Sequence, residues 1–379
     1  MKNASSSLKR IAARMPEKSR KYAFFTAVAL LVLIAILGLF SSKQIGDAYQ
    51  IRVLNLCAIY AILGLSMNLV NGFTGLFSLG QAGFMAIGAY VTTLLFMPPQ
   101  DKSAVFYLMP IEPWLGNIQW PFPLALLMGG LVSGLCAFFI GFPVLRLRGD
   151  YLAIATLGFS EIIRVIFVNL QTITNGSMGI KNIPPTANLW WTFGVMILMV
   201  IFMRKLMSIS YGRVFKAIRD DEVAAEGMGV SLFKHKMFSF ILSSIMAGIG
   251  GGLMASVVGS INPMLFRFVL AYDILLIVVL GGMGSISGTI VGAFIITIAK
   301  EWLRWLDDGF SLVLFKVPAI AGLRMVIFSA FLMAVILFYR KGLFGSREFS
   351  WAACGRFLHA IGRFLTKPFR PDTRKGGDA

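Results

Sequence analysis

GRVFKAIRDDEVAAEGMGVSLFKHK, residues 212–236, is a charged island in a chain that is otherwise mostly apolar. It is flanked by the apolar runs Leu189–Met203 and Met237–Gly259. Of the 379 residues, 57% are apolar and 14% charged, against about 25% charged in soluble domains. That balance predicts a chain that lives in a bilayer. Apolar runs of roughly 17 to 25 residues recur along it, whereas transmembrane barrels show only short alternating stretches. The expected fold class is an all-α integral membrane protein, a polytopic helical bundle of about 8–10 transmembrane segments.

Charge orients the bundle. The net charge is +18, and four segments hold +16 of it: Met1–Lys21 (+6), Arg146–Asp150 (+1), Arg204–Lys236 (+3) and Arg340–Ala379 (+6). Lysine and arginine collect on the cytoplasmic side of membrane proteins, so all four are expected there. Topology and contact with anionic membrane lipid account for the basicity, and nucleic acid is not an expected partner. The chain divides into a basic cytoplasmic N-terminal segment (1–23), a transmembrane domain (24–340) with its cytoplasmic loop 204–236, and a basic cytoplasmic tail (341–379). In the tail, Cys354, Phe357, Leu358, Ile361, Phe364 and Leu365 fall at helical spacing, which predicts an interfacial amphipathic helix.

Spans are expected at Phe24–Phe40, Val53–Val70, Leu76–Met97, Phe122–Phe142, Tyr151–Leu170 and Leu189–Met203, which returns the chain to the cytoplasm for the loop. Met237–Gly259, Phe268–Ala299 and Val317–Phe338 follow. As one helix, the 32 residues of Phe268–Ala299 would measure about 48 Å, well beyond the hydrocarbon thickness. GGMGSISG (281–288) lies in its middle, so the run is expected to break into two short segments. Both termini are then cytoplasmic.

Several chemistries are excluded. Cys57, Cys136 and Cys354 are far apart, and the two histidines, His235 and His359, sit at the edges of basic segments, so no metal site is expected. No phosphate-binding loop GxxxxGK[ST] occurs. The chain is expected to be no enzyme and to bind no cofactor itself.

The island reads as a helix with Lys216 and Asp220 paired at i,i+4, an apolar side of Val214, Ile218 and Val223, and a stop at Gly227 and Gly229. Such a helix can dock in a groove of a soluble partner. A second informative stretch is NLVNGFTGLFSLGQAGFMAIGAY (68–90). Its Asn68, Asn71, Ser78 and Gln81, interleaved with Gly75, Gly80 and Gly83, are costly in hydrocarbon unless they pair or face water. They mark either a solute pathway or close helix packing. GGMGSISGTIVGAF (281–294), with Gly284, Ser285 and Gly288, places a similar glycine-broken element in the second half. Glu161 and Arg164, at i,i+3, are expected to neutralise one another as a structural or gating contact, with Glu161 counted among the candidate path residues; Asp273 sits near the outer start of its segment.

Four runs, SMNLVNGFTGLFSLGQAGFMAIGAY, LRLRGDYLAIATLGFSEIIRVIFVN, the island with its following span, and LGGMGSISGTIVGAF, resemble in content and order the permease subunits of ABC importers for branched-chain amino acids, the LivM-like family. The resemblance covers about Ser66 to Phe294. It implies a second, LivH-like permease, two cytoplasmic ATPases that use the ATP, an extracytoplasmic solute-binding protein, and residence in a prokaryotic plasma membrane. DDEVAAEGMG is similar to the coupling element of importers, with Ala224, Ala225 and Gly227 as its small residues and Arg213, Lys216, Arg219, Asp220, Asp221 and Glu222 as its charged face. The full EAA pattern, with its distant Ile and Pro, is not reproduced. The function implied is transport of branched-chain or related hydrophobic amino acids. A permease of the same type for urea or short amides, or a stand-alone secondary carrier, is the alternative.

Overall fold

The computed structural model describes Gly38, residues 47–306 apart from 108 and 148, and short stretches beyond at 310–312, 315–317, 326–330, 333, 342–345 and 348. Apart from Gly38 these belong to one compact unit, Leu39–Glu348. The expected span Phe24–Phe40, the tail helix and most of Val317–Phe338 lie outside the described residues.

Helix α1 (Ala48–Asn68) runs on into a π-helical turn, Leu69–Phe73. It is followed by α2 (Gln81–Phe96), α3 (Phe122–Val144), α4 (Asp150–Asn169) and α5 (Leu189–Ser208). The charged island forms α6 (Ser210–Asp220) and α7 (Glu222–Gly227), after which come α8 (Leu232–Val258), α9 (Phe268–Gly281) and α10 (Ile286–Trp302). Among the described residues, five helices are long and apolar enough to cross a membrane: α1 with its π turn, α3, α4, α5 and α8. The departure from an all-α fold is a short antiparallel hairpin, Phe310–Leu312 with Phe315–Val317.

The long apolar run breaks where glycine permits it. Gly282 (φ 110°) and Gly284 (φ 83°) take backbone conformations that L-residues rarely adopt. Asp273 then faces Lys300, so α9 and α10 form an antiparallel hairpin. The expected span Leu76–Met97 needs correction, because its helix starts only at Gln81. The Asn71 side chain holds both the N–H and the C=O of Ser78 (3.2 Å each), and Gly75 sits at φ 76°, which keeps residues 75–80 out of the helix.

Helix α8 is the hub, packed on α2, α3 and α1, while α1 also packs on α5, α9 and α10. The α2–α8 crossing is close enough that a Cβ on Gly88 would stand 2.2 Å from the Gly248 backbone. Small residues at the crossing exploit packing where lipid supplies no hydrophobic drive. One end of the bundle carries α6 and α7 with the glycine breaks at 72–80 and 282–285; the opposite end carries the connections 97–121, 170–188 and 259–267.

At that opposite end Lys102 is fully buried and donates to the carbonyls of Leu115 (3.0 Å) and Ile118 (2.5 Å). Burial pushes its pKa down from 10.5 to about 8. When this connection opens, the lysine regains its ordinary pKa, so the open form binds the extra proton between pH 8 and 10.5. Protection of the 99–118 amides, corrected for intrinsic exchange, is therefore expected to rise through that window by at most about 3 kcal/mol. Lys102→Met should flatten that rise in protection, as hydrogen exchange reads it.

Candidate coupling junction

The island folds as two helices where one was expected. Asp221, at φ −159°, interrupts it, and its Oδ1 caps α7 by accepting from the N–H groups of Val223 (2.8 Å) and Ala224 (3.0 Å). Gly229 (φ 84°) ends the helix as expected, with the Val230 N–H returning to the Ala225 carbonyl at 3.1 Å. The break rotates the apolar side. Of the expected side, Ile218 is buried, Val214 is half-buried and Val223 is 78% exposed; Phe215 is buried in their place, and Met228 is 86% exposed. Asp220 pairs with Arg219 (2.8 Å), its immediate neighbour, in place of Lys216. Arg213 and Lys216 lie exposed on α6, and Ala224 and Gly227 exposed on α7. Ala225 is buried, and Glu222 ties α7 to α8 through Lys236 (2.7 Å).

From α6 the Arg219 guanidinium reaches the end of the helical bundle. Its Nη1 donates to the Gly72 carbonyl at 3.3 Å. A Cβ on Gly75 would stand 2.8 Å from Arg219 Cγ, and one on Gly284 would stand 3.0 Å from its Nη1. One side chain of the charged loop thus touches both glycine breaks. The breaks are themselves joined by Asn68, whose Nδ2 donates to the Ser285 carbonyl (2.9 Å) and Thr289 Oγ1 (2.7 Å) while its Oδ1 accepts the Gly284 N–H (2.8 Å).

Asn71, Ser78 and Gln81 of the first stretch are also buried and bonded within the chain. Gln81 accepts from Ser66 (3.0 Å) and donates to Ser243 (2.7 Å), which itself donates to the Ser66 carbonyl (2.7 Å). Gly80 lies against Thr156 and Gly83 against Ser160, both on α4. Ser285 Oγ caps α10 by accepting the Gly288 N–H (3.0 Å), and Gly288 packs on the Gly281 backbone. Glu161 and Arg164 pair at 2.6 Å midway along α4, partly exposed and apart from these networks.

The structure adds Thr289, Ser66, Ser243 and Lys236 to the residues singled out from sequence. It adds Glu348 too, whose carboxylate accepts the Ile286 N–H (2.8 Å) and Ser287 N–H (3.2 Å) at the start of α10. A carboxylate there also complements the helix dipole. For the hydroxyl residues the sequence signal is a serine or threonine on an otherwise apolar helix; for Glu348, one of three acids in a basic segment, there is none.

A model of the family described as branched-chain amino acid transport system, permease component, matches residues 49–339. The chain is 35% identical over 311 residues to the high-affinity branched-chain amino acid transport system permease protein LivM of Escherichia coli, covering 73% of this chain and 68% of the relative. It is 35% identical over 289 residues to LivM of Salmonella typhimurium, covering 67% and 64%. It thus spans about two thirds of the length of these curated relatives. The fructose import permease protein FrcC of Rhizobium meliloti is 26% identical over 67% of the chain and 76% of its own length. No solved structure matches. With a family model across most of its length, and helices fit to cross a bilayer several times, this multi-pass plasma-membrane protein belongs to the branched-chain amino acid transport system permease family.

Proposed function

We propose that this subunit forms half of an import path for branched-chain or related aliphatic amino acids, powered by separate ATPase subunits that grip α6 and α7. The observation that carries the coupling is Arg219, which links the charged loop to both glycine breaks of the helical bundle. Motion of α6 pulls on Gly72 and presses beside Gly284, so a push received at the loop reaches α1, α9 and α10 together. The exposed apolar pair Val223 and Met228, beside the open flank of Gly227, is where a soluble partner gains most contact. A second permease resembling LivH, a soluble solute-binding protein and the plasma membrane complete the assembly. The cytoplasmic placement of the loop rests on the charge distribution.

The test keeps the fold intact. A side chain on Gly227 meets nothing within 4 Å, so Gly227→Trp together with Val223→Asp should leave assembly of the membrane subunits unchanged. ATP-driven leucine uptake in proteoliposomes is expected to fall at least about tenfold, corresponding to loss of roughly 1.4 kcal/mol or more of docking energy. Normal uptake in that variant would discard the coupling assignment. Leucine uptake that isoleucine competes and urea does not is expected for the solute class. Flux driven by an ion gradient through the purified chain alone would replace the import reading with a stand-alone carrier.

A further inference from the structure

Between α1, α9 and α10, toward the end of the bundle opposite the charged loop, lies a cavity of about 290 Å³. That volume is at the small end for ligand sites and suits a small solute. Leu56, Val269, Leu276 and Ile277 give it an aliphatic wall. Its polar groups are few and of both signs. Asp273 on α9 pairs with Lys300 on α10 at 2.5 Å, both partly exposed, and the Lys300 ammonium also lies 5.3 Å from the Phe328 ring centroid. Glu301, at the rim, is already engaged by Tyr49 (2.7 Å) and Arg304 (3.2 Å). Thr297 lines the same cavity, its hydroxyl buried beside the Cys57 thiol.

An ion pair packed dry between two helices contributes little net stability, because the cost of desolvating both charges offsets most of their attraction. This one instead borders an open, apolar-walled space, where its two charges can be shared with a guest. We propose that the cavity is a low-affinity binding site for the transported solute, an α-amino acid with an aliphatic side chain. Its carboxylate meets Lys300, its ammonium meets Asp273, and its side chain lies on Leu56, Leu276 and Ile277. The guest substitutes for each half of the ion pair, so neither charge is left buried alone when the pair opens. A urea or sugar offers no charges for that exchange, and an amine or a carboxylic acid offers only one. The proposal rests on the amino acid reading above and assigns that solute a place in this chain.

The test uses the assembled transporter in phosphatidylcholine vesicles, without the solute-binding protein, and follows binding of labelled leucine by saturation-transfer NMR. Wild type is expected to bind leucine, with competition by isoleucine and none by urea, 3-methylbutylamine or 4-methylpentanoate at the same concentration. Asp273→Asn and Lys300→Gln should each weaken binding at least tenfold, and Ile277→Trp should fill the space and abolish it. The exchanged pair Asp273→Lys with Lys300→Asp retains an ion pair and guards against simple misfolding. Under the proposal it stays defective in leucine binding while the subunits assemble; full recovery would show a structural pair only and overturn the site. Displacement of leucine by phosphoethanolamine would reassign the cavity to a lipid headgroup and likewise overturn it. Normal leucine uptake with all the cavity variants unimpaired would reject the site and leave the import reading standing. Absence of leucine uptake by the wild-type complex would reject that reading itself.

Discussion

Arg219→Ala is expected to lower ATP-driven uptake at least about tenfold while the complex still assembles and its ATPases still turn over. The guanidinium is fixed on one side by Asp220 (2.8 and 3.0 Å) and on the other by the Gly72 carbonyl (3.3 Å). A hydrogen bond to a charged group contributes roughly 1.5 to 3 kcal/mol. Each 1.4 kcal/mol is about tenfold in an equilibrium. If the stroke of α6 is carried by this contact, its loss leaves hydrolysis running without moving the core. Arg219→Lys keeps the charge but loses the planar fork that spans two partners at once, so an intermediate defect is expected. Parallel measurement of leucine uptake and ATP hydrolysis in proteoliposomes decides it. A proportional fall in both would point to failed docking, and unchanged uptake would remove Arg219 from the coupling route.

Gly72→Ala is expected to have the largest effect on the fold, destabilising the subunit by about 3 kcal/mol or more. The added Cβ would stand 1.8 Å from Asn68 Oδ1 and 2.5 Å from the Gly284 backbone nitrogen. The first neighbour cannot withdraw cheaply. Asn68 is fully buried and spends its amide on Gly284, Ser285 and Thr289, so moving it strands backbone groups where no water can replace the bonds. The second neighbour is backbone and cannot rotate away. Lower thermal stability in detergent and reduced recovery of folded subunit are the readouts. Gly227→Ala is the matched control: its Cβ meets nothing within 4 Å, and the change should be neutral within about 0.5 kcal/mol. Equal losses in the two variants would show that the Asn68 junction is not what makes Gly72 sensitive.

Asn68 also shows how far the sequence could be read. Its type and depth marked it as a polar group that had to pair or face water, and the glycines around it marked a broken element. Nothing in the order of residues disclosed that its partners lie 216 to 221 positions away. Gln81 was equally visible, but its bonds to Ser66 and Ser243 depend on α2 meeting both α1 and α8. The Gly281–Gly288 break was legible because 32 apolar residues cannot form one crossing helix and glycine is the residue that permits the turn. The late start of α2 was not legible, because a side-chain clamp, Asn71 on Ser78, overrides a run whose composition suits a helix.

Residue order alone marks this chain as a helical membrane protein, shows where a charged loop interrupts its apolar runs and shows where the long run must break. Those outcomes follow from composition, length and backbone sterics, which act locally and leave their mark on neighbouring residues. Helix packing is what brings Arg219 to both glycine breaks, joins them through Asn68, and sets Asp273 against Lys300 at a cavity. Each of these depends on how one helix is turned against another. In a bundle where nearly every face is apolar, hydrophobicity barely constrains that rotation, and buried hydrogen bonds and small-residue contacts fix it.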